Sequence, residues 1–137
     1  NVSLEWIASV FGIENATIQL ILGKLFQPLA YLIGVPWHES ELVGGLLGQK
    51  LVFNEFVAFM QFTELQTSLS RESQIIATFA LCGFANFASI GVLLGGLGVL
   101  APSRRAEISK LSLRALVAAT LVNLMSAAIA GTFIGWS

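Results

Sequence analysis

Residues 42–62, LVGGLLGQKLVFNEFVAFMQF, set the strongest constraint on the fold, because they pair the length of a membrane crossing with four polar side chains near its middle. As one straight helix the segment is about long enough for the ~30 Å hydrocarbon core of a bilayer. Gln49, Lys50, Asn54 and Glu55 then fall close to its centre, where each ionised group costs on the order of 2.5–3.5 kcal/mol. A chain that doubles back removes the difficulty. Two arms of about ten residues, rising about 1.5 Å per residue, each reach only halfway. The polar tip then lines a cavity inside the protein instead of meeting lipid, the condition under which irregular backbone is tolerated at membrane depth. Residues 40–62 are therefore predicted to form a re-entrant hairpin with a polar site at the midplane.

The rest of the chain agrees that the solvent is a bilayer. Of its 137 residues, 11% are charged and 55% are Ala, Val, Ile, Leu, Met, Phe, Trp, Tyr or Cys, whereas about a quarter are charged in an average soluble domain. The mean hydropathy is +0.81. The single cysteine, Cys82, excludes an internal disulfide and reads as a small buried apolar residue. The opening NVSLEWIASVFG lacks both an initial methionine and a basic leader, so it reads as the interior of something longer and not as a cleavable signal peptide.

Before the hairpin, TIQLILGKLFQPLAYLIGV at 17–35 places Ile18, Ile21, Leu22, Leu25, Phe26, Leu29, Leu32 and Ile33 at helical spacing, with Lys24, Gln27 and Tyr31 on other sides. With Trp37 at its end, the 1–37 segment reads as amphipathic or interfacial helix, an ordinary spanning helix being the alternative. Gly34-Val35-Pro36 and the polar run His38-Glu39-Ser40-Glu41 mark its boundary, with His38 a solvated loop residue.

After the hairpin, residues 74–101 exceed the roughly 20 residues a span requires, and Gly83, Asn86, Ser89 and Gly91 cluster at their middle. Glycine and asparagine are poor helix formers, so a broken transmembrane helix is predicted there, of the kind that exposes backbone groups to a ligand. Gly95-Gly96 and Gly98 read instead as a face for close packing. Residues 107–136 form the plainest span, with Ala127, Ala128, Ala130 and Gly131 for helix packing, Asn123 as an interhelical hydrogen-bonding residue and Trp136 at the far interface.

Arg104, Arg105, Lys110 and Arg114 lie within eleven residues. By the positive-inside rule this turn, 102–110, faces the cytoplasm. The broken helix then runs inward, the loop 63–73 lies outside and the hairpin enters from the outer face.

GGLLGQKLVFNEFVAF at 44–59, CGFANFASIG at 82–91, the APSRR turn and the FQPLAYLIGVPW stretch together resemble the C-terminal half of the concentrative nucleoside transporter family. The resemblance implies an all-α integral membrane protein built from an interfacial helix, a re-entrant helical hairpin, a broken transmembrane helix and a final transmembrane helix, as the second of two inverted repeats. It implies a homotrimer in the bilayer, a nucleoside substrate taken up by alternating access, and a coupling ion, sodium with proton as the competitor, whose site lies outside this segment in the first-repeat half. It also implies that Glu55, Asn86 and Ser89 contact ribose and that Phe84 packs near the base. The chemistry of those residue types agrees: a carboxylate accepts two hydrogen bonds side by side from vicinal hydroxyls, and an amide or hydroxyl both donates and accepts. For Glu55 the alternative is an internal ion pair with Lys50, which a hairpin could bring together although five residues do not share a helical face.

No enzyme signature occurs. GGLLGQK misses the phosphate-loop pattern because Leu51 follows Lys50, and the one histidine has no metal or nucleophile partner at motif spacing. Asn15-Ala16-Thr17 is a glycosylation sequon of a kind common by chance, and one basic turn is no nucleic-acid surface. The expectation is an ion-coupled nucleoside importer of a bacterial inner membrane, with no resident cofactor. The alternative is a structural or assembly subunit of a membrane complex whose polar residues only knit helices together.

Overall fold

The computed structural model describes residues 18–135. Residues 1–17, and with them the sequon, and Trp136 lie outside the described residues. The described chain is helical, with α1 (Ile18–Leu32), α2 (Trp37–Val52), α3 (Glu55–Leu65), α4 (Arg71–Leu81), α5 (Phe87–Leu100) and α6 (Arg105–Ile134), and short 3-10 turns at Gln66–Ser68 and Pro102–Arg104. No strand occurs among the described residues.

The stripe of large apolar residues read along α1 exists, but much of it faces outward. The helix buries Leu22, Gly23, Gln27 and Ala30, while Leu25 and Leu32 are 67% and 76% exposed. This inversion is what a hydrocarbon surround permits: large apolar side chains lose nothing by facing lipid, and small ones let helices approach. Gly34, at φ 108°, ends α1 in a conformation that favours glycine, and the chain turns by 116° into α2. A Cβ on Gly44 would stand 2.8 Å from both Gln27 N and Gly23 O, and one on Gly48 2.6 Å from Leu22 Cβ. The two helices thus touch backbone to backbone at Gly23 and Gly44, and Gly48 extends the glycine seam by admitting the Leu22 side chain. The Tyr31 and Trp37 rings meet edge to face across the turn, 5.5 Å apart.

The polar run 38–41 is not the loop that its composition suggested. The boundary falls at Gly34–Pro36, as the sequence indicates, but His38 to Glu41 form the first turn of α2. His38 is solvated, yet Ser40 is fully buried and Glu39 is 8% exposed. Glu39 Oε2 accepts from the Ser70 N–H at 3.2 Å and from Ser70 Oγ at 2.9 Å, so the carboxylate ties the mouth of the hairpin to the start of α4. Gln74 Nε2 holds the same connector by donating to the carbonyls of Gln66 and Leu69.

Burial raises the pKa of Glu39, but hydrogen bonds from the Ser73 and Ser70 side chains and the Ser70 backbone, with the field of His38, outweigh it and hold the carboxyl below the usual range. A lowered folded-state value means that the contribution to stability is present above the ordinary glutamate pKa of about 4.3. It is lost as pH falls through the folded value. Glu39→Gln is expected to lower stability near neutrality by roughly 1–3 kcal/mol, because hydrogen bonds to a charged acceptor contribute more than those to a neutral one, and to flatten the acid limb of the melting temperature against pH. Thermal unfolding across pH 3.5–7.5 measures both.

α4 is the central element, packed against α2 and α6. Val43, Leu46 and Leu47 of α2, Ile76, Ala77, Ala80 and Leu81 of α4, and Ala127 of α6 share one core. α6 with its preceding turn, Pro102–Ile134, is the one helix among the described residues long and apolar enough to cross a membrane by itself. α5, with 14 residues, begins after a break at 82–86.

Among the described residues nothing packs on Gly95 or Gly96, and Gly98 meets the Arg105 side chain, so the glycines that mediate close packing within this segment are those of the α1–α2 seam, Gly83 and Gly131. One expectation is corrected. Cys82 is exposed, because it stands where α4 ends and the chain leaves the core.

Candidate functional site

Two helix starts built alike define the site. α2 ends at Val52, and past Phe53 the chain turns through Asn54, whose extended backbone (φ −167°) and side-chain oxygen cap α3, the oxygen accepting from the Val57 N–H at 3.0 Å. In the same way Asn86 (φ −155°) caps α5, its Oδ1 accepting from the Ser89 N–H at 2.7 Å. Asparagine leads the ranking of N-cap residues because its short side chain reaches the second or third free N–H of the helix. The capping signal was therefore present in both NEFVAF and NFASIG. Asn54 is the residue that sequence reasoning left without a role.

Glu55 opens α3, at the positive end of the helix dipole, which favours a carboxylate there. Its Oε2 accepts from Asn86 Nδ2 at 3.2 Å, joining the hairpin to the second half of the broken segment. The same Nδ2 donates to the Phe84 carbonyl at 3.2 Å. Asn86 is 2% exposed, and its amide is fully engaged, the oxygen in the cap and the two N–H groups on Glu55 and Phe84. Glu55 keeps its second oxygen and is only partly buried. The arrangement leaves the second Glu55 oxygen without a hydrogen bond, and Glu55 lines an open cleft of about 430 Å³ together with Asn54, Phe56, Asn86, Ser89 and Val92 among others.

The other two candidates stand differently. Ser89 is exposed on the first turn of α5 and lines that cleft; its backbone N–H is spent on the cap and its hydroxyl faces outward without a partner. Phe84 is 80% exposed and lines a neighbouring hollow of about 380 Å³ between α5 and α6. Within this chain, Glu55, Asn86 and Ser89 thus come together, with Phe84 one step along the break.

The proposed ion pair of Glu55 with Lys50 does not form: no ion pair within 4 Å joins them among the described residues. The charges do interact at longer range, while Lys50 Nζ donates to the Ala80 carbonyl at 2.8 Å. Asn123 does not make the interhelical hydrogen bond expected of it. Its amide lies against Gly83, where a Cβ would collide with it.

The family described as Na+ dependent nucleoside transporter C-terminus matches residues 1–131. The Bacillus subtilis transporter YutK is 55% identical over 125 residues, covering 91% of this chain and 31% of that protein. Nucleoside permease NupC of Helicobacter pylori is 45% identical over 127 residues, covering 89% of this chain and 30% of the permease. Among solved structures, CNTnw in an inward-facing substrate-bound state superposes with a TM-score of 0.88 at 49% identity, covering 98% of this chain and 34% of that one. The chain spans about a third of the length of the curated relatives it matches.

Proposed function

We propose, since this chain belongs to the Na+ dependent nucleoside transporter family, that it supplies the ribose-binding half of a nucleoside importer working by alternating access. The family is one of membrane transporters and not of enzymes. In this reading 40–62 is the re-entrant hairpin, 74–101 the broken span and 107–136 the final span. The segment within 1–37 lies along the interface, and the basic turn 102–110 is cytoplasmic. Three such subunits, each completed by its first-repeat half, assemble in a bacterial inner membrane.

The observation that carries the reading is the Glu55–Asn86 bond at 3.2 Å on the wall of an open cleft. Two chain segments that stop short of a full crossing meet there through polar groups, the construction transporters use to hold a substrate at the midplane. The free oxygen of Glu55 accepts from the two vicinal ribose hydroxyls in charge-assisted bonds. The Ser89 hydroxyl donates to or accepts from the sugar, and Asn86 acts mainly by holding Glu55 in place. Phe84, largely exposed toward the hollow beside the cleft, packs against the base. Hairpin and broken helix then move as a unit against the remaining scaffold.

Sodium is the coupling ion in this proposal and is co-transported cargo, bound by the first-repeat half. Uptake of labelled uridine into vesicles containing the complete transporter, with sodium and proton gradients imposed separately, tests the whole scheme. A sodium gradient is expected to drive accumulation at least about tenfold above the gradient-free level. Accumulation under the proton gradient alone overturns the sodium assignment, and accumulation under neither overturns coupled transport.

A further inference from the structure

Lys50 has no part in the scheme above, although it is among the most buried charges of the chain, 5% exposed. It stands in the last turn of α2, and its Nζ donates to the carbonyl of Ala80 at 2.8 Å. Ala80 lies in the last turn of α4, where a helix leaves its final carbonyls without intrahelical partners. The break takes two of the others itself, Thr78 O by the Cys82 N–H and Leu81 O by the Gly83 N–H. The ammonium therefore completes the end of α4 and sits on the negative pole of its dipole. A buried cation is tolerated where such partners meet it, and the longer-range field of Glu55 adds to them.

The location matters as much as the bond. Lys50 immediately precedes the turn that presents Asn54 and Glu55, and Ala80 immediately precedes the break that presents Asn86. We propose that Lys50 is a positioning residue: its bond to Ala80 fixes the spacing between hairpin tip and helix break and so holds Glu55 against Asn86 in the geometry that receives ribose. A main-chain acceptor suits this role, because the register it sets does not depend on which side chain occupies position 80. The same ammonium offsets the charge of Glu55, keeping the paired tip and break close to neutral as they move together.

This inference rests on the ribose-site reading, and a double-mutant cycle separates the two. Equilibrium binding of uridine and of 3′-deoxyuridine is measured on the complete transporter carrying Lys50→Met, Glu55→Gln or both. Lys50→Met is expected to weaken uridine binding about tenfold and 3′-deoxyuridine binding distinctly less. In the Glu55→Gln background it should add less than about twofold, since coupled residues are not additive. Losses that multiply overturn the proposal, because a residue that merely supports the fold acts independently of Glu55. Should Lys50→Met not fold, Lys50→Arg, which keeps the cation and shifts the donor, enters the same cycle with the same non-additive pattern expected. Weakened binding in Glu55→Gln with unchanged binding in the Lys50 variant overturns the positioning role alone. Unchanged uridine binding in Glu55→Gln overturns the ribose reading and this inference with it.

Discussion

Glu55→Gln in the complete transporter is expected to weaken uridine binding by about 30- to 100-fold while the protein stays folded. The substitution keeps the shape of the side chain and an oxygen able to accept from Asn86 Nδ2, so the contact between hairpin and break survives. What it removes is charge. Hydrogen bonds to a charged partner contribute about 1.5–3 kcal/mol, against about 0.5–1.5 kcal/mol for neutral ones. Losing that difference on two sugar contacts amounts to roughly 2–3 kcal/mol, and about 1.4 kcal/mol is a factor of ten. The amide also presents N–H groups where the hydroxyls need an acceptor. Titration calorimetry with uridine and with 2′- and 3′-deoxyuridine reads the effect, and the deoxy ligands should be penalised less than uridine. Equal affinity in parent and variant, with unchanged melting temperature, would return Glu55 to a structural role and move the ribose contact elsewhere in the transporter.

Asn86→Asp is expected to do more damage than removal of Glu55's charge. The aspartate retains an oxygen to cap α5 through the Ser89 N–H but loses the Nδ2 group that serves both Glu55 and the Phe84 carbonyl. It sets a second carboxylate where the existing contact is 3.2 Å long. Two like charges at that spacing repel by about 5 kcal/mol at an effective dielectric constant of about 20. Uridine binding should fall below detection, and the melting temperature should drop. Asn86→Ser separates the causes, because a serine also caps a helix and carries no charge. That variant is expected to bind uridine with about tenfold loss. Parent-like binding by Asn86→Asp would mean that the two side chains are not neighbours in the working protein.

The elements most legible in the sequence were those where polarity contradicts its surroundings. Lys50 and Glu55 in an apolar segment demanded an interruption, and Gly83 to Ser89 announced another; the helices stop at Val52 and Leu81 and restart at Glu55 and Phe87. The meeting of Glu55 with Asn86 followed from the family resemblance and from the common need of two isolated polar groups, not from spacing. Less legible was anything decided by which face of a helix meets which neighbour. The stripe on α1 is genuine, but periodicity does not say whether large residues or small ones point inward, and in hydrocarbon the small ones do. The same ambiguity hides which glycines meet a neighbour within this segment, and there Gly44 and Gly48 form the seam while Gly95 and Gly96 meet nothing described. Glu39 was read as boundary polarity because its partner, Ser70, lies 31 residues away. The bond from Lys50 to a main-chain oxygen leaves no trace in side-chain pattern at all.

The glycine seam between α1 and α2 has a mechanical corollary. Side chains ordinarily act as compliant spacers between helices, taking up small displacements by changing rotamer, and here the opposed main chains have no such cushion. α1 and α2 should behave as a stiff elbow, set at 116°. A displacement of α1 would therefore be passed to the middle of α2 with little loss, two turns before the bend that carries Asn54 and Glu55.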